Sequence, residues 1–481
     1  MSQPIRIRTL CTSQLRALLP SAVSLAALLG CSGDVVNLGE DASPRPTPPS
    51  YSRCVDSPTL TADVYVGQQS ELDALEGCET IDGDLYVQPF FHPALRPLHE
   101  LKVVTGTLAF GQLSRPEEQS PEEVELAASV FGRWLPSLEG LEALESVGSL
   151  KIGEVSAFDL APLSGLRALT GEGILVVTGG NLRDLAPLGR LRGIRSLHVY
   201  GERLESIAEL ELPPTLSVLD LNGEHLSELG SLRQLRSVEG WLNLSGIAVR
   251  DLTSFSALES VGEFFVNSRV LENLNGLEQL TDVGGDVSIL GNPLLDNIDA
   301  LTTLRHAEHL AISNNASLRQ IPDFPALGPL KGLHIMDNPA LEHVAEFSGI
   351  WAEASLPLRN GTRTRSYADA LNTIYRRPDA IRIINNPALR AFSMPVGWEG
   401  GKYVEINNNA SLETLALTEL ENIGVLQITS NPQLRSVGLG LLDTVDSLTV
   451  LDNRQLLPST FDPVQTFERN MSGNAGMPPS P

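Results

Sequence analysis

The stretch Val287-Ser288-Ile289-Leu290-Gly291-Asn292-Pro293-Leu294 contains the pattern that decides the fold. Two apolar residues separated by one residue of any type form a triplet, and an asparagine stands three positions after its last residue. Successive triplets between Val177 and Ile335 end 22 or 23 residues apart. A period this constant indicates a solenoid, in which each repeat packs only on its neighbours.

The triplet recurs along most of the chain. Seventeen copies end at Val66, Val87, Phe110, Ile152, Val177, Val199, Leu221, Leu244, Val266, Ile289, Ile312, Ile335, Leu358, Ile383, Ile406, Ile428 and Val450. The asparagine follows as Asn292, Asn315, Asn338, Asn386, Asn409, Asn431 and Asn453. Because stacked asparagines can bond backbone amides left unpaired by a turn, we expect a buried ladder.

The segments before each triplet have apolar residues at every third position. Leu274, Leu277, Leu280 and Val283 are one such run, and this spacing favours a tight 3₁₀-like coil over a long helix. Each repeat is therefore predicted as a short parallel strand, an asparagine turn and a tight return. The predicted fold class is mainly β: a right-handed, leucine-rich-repeat-like parallel β-helix of about 17 turns, each buried by its neighbours.

Two places depart from the period, the step from Phe110 to Ile152 and the step from Leu358 to Ile383. Ser120-Pro121-Glu122-Glu123 has the residues of a helix start, so a helix is predicted there, and Ser366 to Tyr375 also has helical spacing. Leu356-Pro357-Leu358 is counted as a strand, although its proline removes a ladder donor. The segment after Leu457 lacks the pattern and is expected to be disordered.

Composition and charge restrict the function classes. The 481 residues are 42% hydrophobic, which excludes wholesale disorder and a protein with many membrane spans. Lys and Arg total 34 against 59 Asp and Glu, a net charge of -25 with no basic block. Since this charge repels a phosphate backbone, nucleic acid is not an expected partner.

The first thirty residues have the pattern of a secretory signal, with three arginines followed by an apolar stretch at 17–30. The stretch ends in Leu28-Leu29-Gly30-Cys31, which resembles the bacterial lipobox. This resemblance implies a diacylglycerol on Cys31 and a membrane contact through that anchor alone. Ser32 after the cysteine implies outer-membrane sorting, facing the surface or the periplasm. An ordinary signal peptide that ends near a cysteine is the alternative.

The predicted organisation follows from these features. The prolines at 44–49 favour an extended tether. Cys11 leaves with the signal and Cys31 takes lipid, so Cys54 and Cys78 are predicted to pair, a bridge worth ~3 kcal/mol in the chain-entropy model. The predicted boundaries are 1–30 for the signal peptide, 31–53 for the tether, 54–457 for the solenoid and 458–481 for the disordered tail.

One sequence motif near the start of the repeats resembles that of a known family. Gly77-Cys78-x-x-Ile81-x-Gly83-x-Leu85-x-Val87, with Cys54 upstream, resembles the start of the receptor L-domain, a leucine-rich-repeat-like β-helix of receptor ectodomains. The resemblance covers roughly residues 54 to 457, and it implies the same Cys54–Cys78 bridge and a role in binding. The chain has no cysteine-rich module or kinase, so receptor signalling is not implied.

The sequence contains no nucleophile, phosphate-loop or metal-ligand motif, so no catalytic residue, metal or cofactor is predicted. The segment His306-Ala307-Glu308-His309, with His334 and His343, is interpreted as solvated histidines. The first alternative function is that of a β-helix polysaccharide-degrading enzyme. The acidic residues of this chain are scattered over separate turns, which disfavours that function. A purely structural envelope spacer is the second.

Strand alternation predicts a binding surface. If both ends of a triplet point inward, its middle residue and those flanking it point outward. The residues so predicted on four neighbouring turns are His198, Tyr200, Asp220, Asn222, Trp241, Asn243, Phe265 and Asn267. Aromatic rings beside amides suit a glycan or a protein partner at the cell surface, although packing among the rings alone is an alternative reading.

Overall fold

The computed structural model describes residues 54, 57–87, 94–111, 137–153, 159–179, 181–345, 347–348, 380–394, 403–418 and 420–475. These residues form a parallel β-solenoid of about 15 turns with almost no α-helix, which confirms the predicted leucine-rich-repeat-like fold class. The predicted signal peptide, Cys31, the tether, the two helical segments and the 356–358 triplet lie outside the described residues.

Among the described residues, one 22-stranded sheet contains every predicted triplet that the structure describes, and every described strand pairing is parallel. Its principal strands are Val64–Val66, Leu85–Val87, Val103–Phe110, Ser146–Ile152, Ile174–Thr178, Ser196–Tyr200, Val218–Asn222, Ser237–Ser245, Ser260–Asn267, Asp286–Leu290, His309–Ser313, Gly332–Met336, Ile381–Ile384, Tyr403–Asn407, Asn422–Thr429, Thr444–Leu451 and Gln465–Asn470. Short strands in the same sheet are Thr59–Leu60, Thr80–Ile81, Ala168–Leu169, Thr215–Leu216 and Asp282–Val283. Two smaller sheets consist of Gln320–Ile321 with His343–Val344, and of Ala391–Ser393, Thr414–Ala416 and Ser436–Gly438.

The returns between strands are tight coils, as the spacing of three predicts. Leu274, Leu277 and Leu280 all point into the solenoid and are fully buried. The described helix is Gln69–Asp73, and the 3₁₀ turns are Arg96–Leu98, Ala161–Leu163, Ala186–Leu188, Gly230–Gln234, Thr253–Phe255, Asp299–Thr303 and Pro458–Phe461. A 3₁₀ coil has three residues per turn, so one apolar side of the return faces the core.

The asparagines form the predicted ladder. In each step the backbone N–H and the side-chain amide of one asparagine donate to Oδ1 of the next: from Asn315 to Asn338 the distances are 3.1 and 3.3 Å. Asn315 Nδ2 also donates to the carbonyl of Ile289 at 3.0 Å. The ladder asparagines are fully buried, so these bonds satisfy groups that water cannot reach.

The turn that carries each ladder asparagine has a fixed backbone conformation. The residue before it lies in the left-handed region, as at Asn314 (φ 59°), Asp337 (φ 55°) and Asn408 (φ 59°). Asparagine and aspartate tolerate this region better than other side chains do, which explains the polar residues at this position. The repeated turn thus combines a left-handed residue with a buried amide.

The C-terminal boundary differs from the expectation of disorder after Leu457. Residues 458–475 add another turn: a 3₁₀ segment, the strand Gln465–Asn470, and Asn474, which accepts from the backbone and the side chain of Asn453. The sequence pattern fails here because the strand is polar and exposed, with Phe467 88% exposed. Pairing with Thr444–Leu451, rather than burial of an apolar triplet, holds this strand.

The triplet predicted at 356–358 lies outside the described residues, in the segment between Gly332–Met336 and Ile381–Ile384. Strand Gly332–Met336 pairs directly with Ile381–Ile384, and Asn338 bonds directly to Asn386. The described sheet therefore continues directly from one of these strands to the other.

The predicted disulfide is confirmed at the N-terminal end of the solenoid. Cys54 and Cys78 are bonded, with their Cα atoms 5.1 Å apart. Among the residues that the structure describes, no helix is long and apolar enough to cross a membrane.

Candidate functional site

The principal sheet has one face that points away from the core. In the strand Val218–Asn222, Leu219 and Leu221 are buried in the solenoid interior, and the residues between and beyond them project from the opposite face. We call this the open face: the surface formed by the middle residues of the triplets and by the residues that flank each triplet. Every predicted binding residue belongs to it by register.

Parallel pairing brings the predicted residues into rows across neighbouring strands. The middle row runs His198, Asp220, Asn243, Phe265 and then Ser288, each aligned with the next. The row after the triplets aligns Tyr200 with Asn222 and Ser245 with Asn267. The row before the triplets aligns Trp241 with Glu263. The structure therefore gathers all eight predicted residues on four consecutive strands.

Hydrogen bonds, and for His198 a longer contact with a carboxylate, connect part of this surface into what we call the Asp220 cluster: His198, Tyr200, Asp220, Asn243 and Ser245. The Tyr200 hydroxyl donates to Asp220 Oδ2 at 2.5 Å, and Asn243 Nδ2 donates to Asp220 Oδ1 at 2.8 Å. Ser245 Oγ donates to Asn243 Oδ1 at 2.7 Å, and His198 Nδ1 lies 3.8 Å from Asp220 Oδ2. These contacts hold the side chains in one arrangement before any ligand binds.

Two of the predicted contact residues are less accessible than expected. Asp220 is 3% exposed and Asn243 is 8% exposed, although both lie at outward registers. Tyr200 and Asn243 reach across from the two neighbouring strands to the Asp220 carboxylate and remove it from solvent. The expectation that both side chains are displayed is therefore wrong, and they support the partly exposed residues around them.

We predict that Asp220→Ala lowers the free energy of unfolding by about 2 kcal/mol, because it leaves the Tyr200 hydroxyl and the Asn243 amide without their charged acceptor. Urea unfolding followed by circular dichroism measures the loss. Asp446→Ala is the matched control: Asp446 is an exposed residue of another strand, and its removal is expected to change stability by less than about 0.5 kcal/mol. Equal effects of the two substitutions would contradict a structural role for the cluster.

Beside this cluster is a shallow depression that we call the aromatic pocket. Its lining consists of Trp241, Leu242, Asn243, Glu263, Phe264, Phe265, Asp286 and Ser288. The Trp241 and Phe265 side chains are partly exposed, whereas Leu242 and Phe264 form its buried floor. The pocket therefore combines two accessible rings with two carboxylates.

A backbone irregularity positions Trp241. The register between strands Ser237–Ser245 and Ser260–Asn267 shifts between Val238 and Trp241, which changes the direction of the strand there. Gly240 and Gly262 meet at this point, and a Cβ on Gly262 would lie 2.3 Å from the Gly240 carbonyl oxygen. Each glycine stands directly before a pocket residue, and only glycine allows the two backbones to approach this closely.

The prediction that the histidines of the 306–309 segment and His334 are solvated is wrong for two of them. His309 is 7% exposed and His334 is 2% exposed, because each lies within the open-face rows between neighbouring strands. His309 Nδ1 lies 2.6 Å from Asp286 Oδ1, and Glu308 accepts from Lys331 Nζ at 2.7 Å. The ligand atoms of Asp286, Glu308 and His309 lie within 4.8 Å of one another, a group that can hold a metal ion. The protein contacts just described already engage both carboxylates.

A second aromatic group lies on the same face nearer the N-terminus. The rings of Tyr65 and Tyr86 stack with centroids 5.0 Å apart, and the Tyr86 hydroxyl donates to Asp84 Oδ2 at 3.1 Å. Burial, together with the nearby Asp84 carboxylate, raises the pKa of the Tyr86 phenol above its ordinary value.

Sequence reasoning missed Glu263, Asp286 and Ser288 as neighbours of Trp241. The signal was available in the period, because aligning successive triplets puts Glu263 and Asp286 in the row that precedes each triplet. In the sequence, Asp286 is one of the acidic residues whose scattered positions disfavour a polysaccharide-degrading enzyme. The structure shows that it lines the same pocket as the two rings.

No family model and no curated protein matches the sequence. Similar folds include an internalin of Listeria monocytogenes, which is 13% identical with a TM-score of 0.31, the match covering 83% of this chain and 88% of the internalin. A leucine-rich-repeat protein of Leptospira interrogans is 12% identical with a TM-score of 0.32, covering 84% of this chain and 94% of that one.

A third similar structure is a chain of the Toll–Spatzle complex of Drosophila, 12% identical with a TM-score of 0.35 over 86% of this chain and 55% of that one. Identities and scores this low carry no inference about activity or partners. The repeat geometry itself, with its parallel strands, tight returns and asparagine ladder, decides the architecture. This chain has the fold of a leucine-rich-repeat-like parallel β-solenoid.

Proposed function

We propose that this chain is an outer-membrane lipoprotein of the bacterial cell envelope whose solenoid binds an extracellular or envelope protein or glycan, without catalysis. The open face between His198 and Ser288 is the proposed binding surface. The lipobox resemblance at Cys31 and the proline-rich segment after it support display of the solenoid away from the lipid surface.

The observation that carries the binding proposal is the continuity of the Asp220 cluster with the aromatic pocket. Together they occupy five neighbouring strands, and Asn243 belongs to both. Buried hydrogen bonds fix the polar half, while the rings of Trp241 and Phe265 remain partly accessible. A rigid polar support beside accessible rings is the composition found at the centre of protein binding sites.

The proposed ligand class is tested with arrays of envelope proteins, extracellular proteins and glycans, probed with the purified full-length lipoprotein in detergent. Specific binding to a defined protein or glycan supports the proposal. Calcium-dependent release of unsaturated sugars from a polysaccharide would favour a degrading enzyme instead, and no binding to any array would favour a structural spacer.

We predict that Trp241→Ala weakens binding of the ligand found on the array by about 2 kcal/mol, roughly thirtyfold, because a central ring contributes more than its neighbours. Its melting temperature is expected to stay nearly unchanged. Isothermal titration calorimetry and a thermal scan on the same preparation separate the two effects. Phe467→Ala is the control, since Phe467 is an exposed ring on the distant strand Gln465–Asn470. A lower melting temperature with full affinity would show that Trp241 only packs.

A further inference from the structure

Four exposed arginines lie together beside the first strand of the proposed binding surface. We call them the arginine surface: Arg167, Arg190, Arg192 and Arg195. We propose that this surface binds a short acidic segment of a protein partner. The inference rests on the proposed function, because Arg195 directly precedes strand Ser196–Tyr200 of the open face, where that partner binds.

Two neighbouring turns of the solenoid contribute these arginines. Three of the six residues at 190–195 are arginines, and Arg190 and Arg192 flank the buried Leu191. The Arg192 backbone N–H donates to the Arg167 carbonyl at 2.9 Å, so the two backbones lie at the separation of paired strands, about 4.8 Å. Stacking therefore concentrates positive charge that the sequence distributes over more than one repeat.

This arrangement differs from that of other charged residues on neighbouring turns. Lys102 forms an ion pair with Glu79 at 2.7 Å, and Arg236 forms one with Glu259 at 2.6 Å. The residue that follows Arg167 on the next turn is instead another arginine. Like charges on adjacent strands destabilise a sheet, so an anion bound between them would relieve a cost that the other turns avoid.

Most of the positive charge of the arginine surface is uncompensated within the described residues. Arg190 and Arg195 form no side-chain hydrogen bond or ion pair there. Arg167 Nη1 donates to the Ser164 carbonyl at 2.5 Å, which orients the guanidinium without neutralising it. Arg192 pairs with Glu211 at 3.2 Å, and both side chains of this pair are exposed. Three guanidinium groups are thus available to carboxylates of a partner.

Arg195 is the arginine that joins this surface to the open face. Its backbone N–H donates to the Gly173 carbonyl at 2.7 Å, and its own carbonyl accepts from the Ser217 N–H at 2.6 Å. It therefore stands between a glycine and a serine on the two neighbouring turns, and its side chain is exposed. Since strand Ser196–Tyr200 follows directly, a protein bound to the open face can contact this guanidinium.

The chemistry of the guanidinium group favours carboxylates as ligands. Its planar fork of N–H donors matches the two oxygens of a carboxylate, and such paired hydrogen bonds are stronger than neutral ones. A single exposed ion pair contributes little to affinity. Several carboxylates in one segment are therefore needed for measurable binding.

The charge of the whole chain favours a short acidic segment over a long polyanion. The net charge of -25 repels a polymer that is negatively charged along its length. Screening limits this repulsion to about 8 Å at physiological salt. A short acidic segment of an otherwise neutral protein meets the local arginines and extends little beyond them.

The probe is the fluorescein-labelled peptide Gly-Glu-Glu-Gly-Glu-Glu-Gly-amide, titrated into the full-length lipoprotein in non-ionic detergent with EDTA and followed by fluorescence polarisation. We expect saturable binding that weakens as the salt concentration rises. The same labelled peptide with glutamine at every glutamate is expected to bind about tenfold more weakly. Equal binding of the two peptides would overturn the inference.

Matched double variants remove the same charge at two places. Arg190→Gln/Arg195→Gln is expected to weaken binding of the acidic peptide about tenfold. Arg319→Gln/Arg390→Gln is the control, because both arginines are exposed and each is followed on the next turn by a glutamate. The control is expected to bind the peptide like the parent. Equal weakening by both double variants would reduce the effect to general electrostatics and contradict the proposal.

A lysine variant tests the role of the guanidinium group itself. Arg190→Lys/Arg195→Lys keeps the charge and loses the planar fork, so it is expected to weaken peptide binding about threefold. All of these positions are exposed, and the melting temperature of each variant is expected to match that of the parent. Full affinity in the lysine variant would argue against recognition by guanidinium groups.

Two other occupants of the arginine surface are outcomes of the same assay. Binding of polygalacturonate through these arginines, with no binding of the peptide, would assign the surface to a polyanionic glycan. The chain also has an acidic segment of its own at 117–125, Glu-Glu-Gln-Ser-Pro-Glu-Glu-Val-Glu. If glutamine at its five glutamates makes the peptide bind much more tightly, that segment occupies the surface. Either outcome would overturn the assignment to a partner.

Failure of this inference is distinguishable from failure of the proposed function. If the ligand found on the array binds Arg190→Gln/Arg195→Gln and the parent equally, the inference fails and the proposed function stands. If no array ligand binds although the acidic peptide binds through these arginines, the proposed function fails and the preference of the surface for acidic segments stands.

Discussion

The double variant Asn386→Ala/Asn409→Ala is expected to lose more than about 4 kcal/mol of unfolding free energy, because it removes two adjacent steps of a fully buried ladder. Asn386 Nδ2 donates to the Ile335 carbonyl at 2.9 Å, and Asn409 Nδ2 donates to the Ile383 carbonyl at 2.8 Å. Asn338 also loses the acceptor for its backbone and side-chain N–H groups. Alanine can replace none of these bonds, and water does not reach the site.

The measurement is urea unfolding, with amide hydrogen exchange to locate the loss at the turns after Met336 and Ile384. The single variant Asn409→Ala is expected to lose about 2 kcal/mol and provides a reading if the double variant does not fold. Asn297→Ala is the matched control, because the Asn297 amide donates only to its exposed neighbour Asp296 among its described hydrogen bonds. Unfolding energies equal to the control would show that the ladder contributes no stability.

The Cys31→Ser variant is expected to lose membrane association completely. The lipobox resemblance predicts that Cys31 receives diacylglycerol and becomes the mature N-terminus. A single acyl chain binds membranes reversibly, whereas several chains on one cysteine anchor a protein stably, so removing the acceptor removes the whole anchor. Fractionation followed by immunoblotting compares the membrane and soluble pools, and mass spectrometry of the mature N-terminus identifies the lipid.

Cys11→Ser is the matched control for this prediction, because Cys11 precedes the expected cleavage site and leaves with the signal. It is expected to remain in the membrane fraction like the parent protein. Retention of Cys31→Ser in that fraction, or an unmodified mature N-terminus at another residue, would refute the lipoprotein assignment.

The repeated strand and its turn were predictable from the sequence. The triplet ending at Ile289 and Asn292 three positions later specify a buried strand end and a ladder step, and both are observed. These features are local: alternation decides which side chains face the core, and a turn of fixed length puts the asparagine at a fixed register. The Cys54–Cys78 bridge was predictable for a similar reason, since few cysteines remain to pair.

The composition of the binding surface was predictable only in part. Periodicity correctly assigned Trp241 and Phe265 to the open face, but it also predicted that Asp220 and Asn243 would be displayed there. Their burial depends on side chains from adjacent turns, 20 and 23 residues away in the chain. Alternation within one strand contains no information about those lateral neighbours.

The sequence by itself determined the repeat and the core rows, because the apolar triplet recurs at a constant period. It also determined the turn chemistry of the repeats from Asn292 onward, where an asparagine follows the triplet at a fixed distance. Only the tertiary structure decided that Gly332–Met336 joins Ile381–Ile384 directly, and that the polar strand Gln465–Asn470 closes the described sheet. It also decided that Glu263 and Asp286 meet Trp241 and Phe265 in one pocket. The physical reason is that stacking sets distances between turns, so residues far apart in sequence become neighbours through register and backbone irregularities that no single repeat specifies.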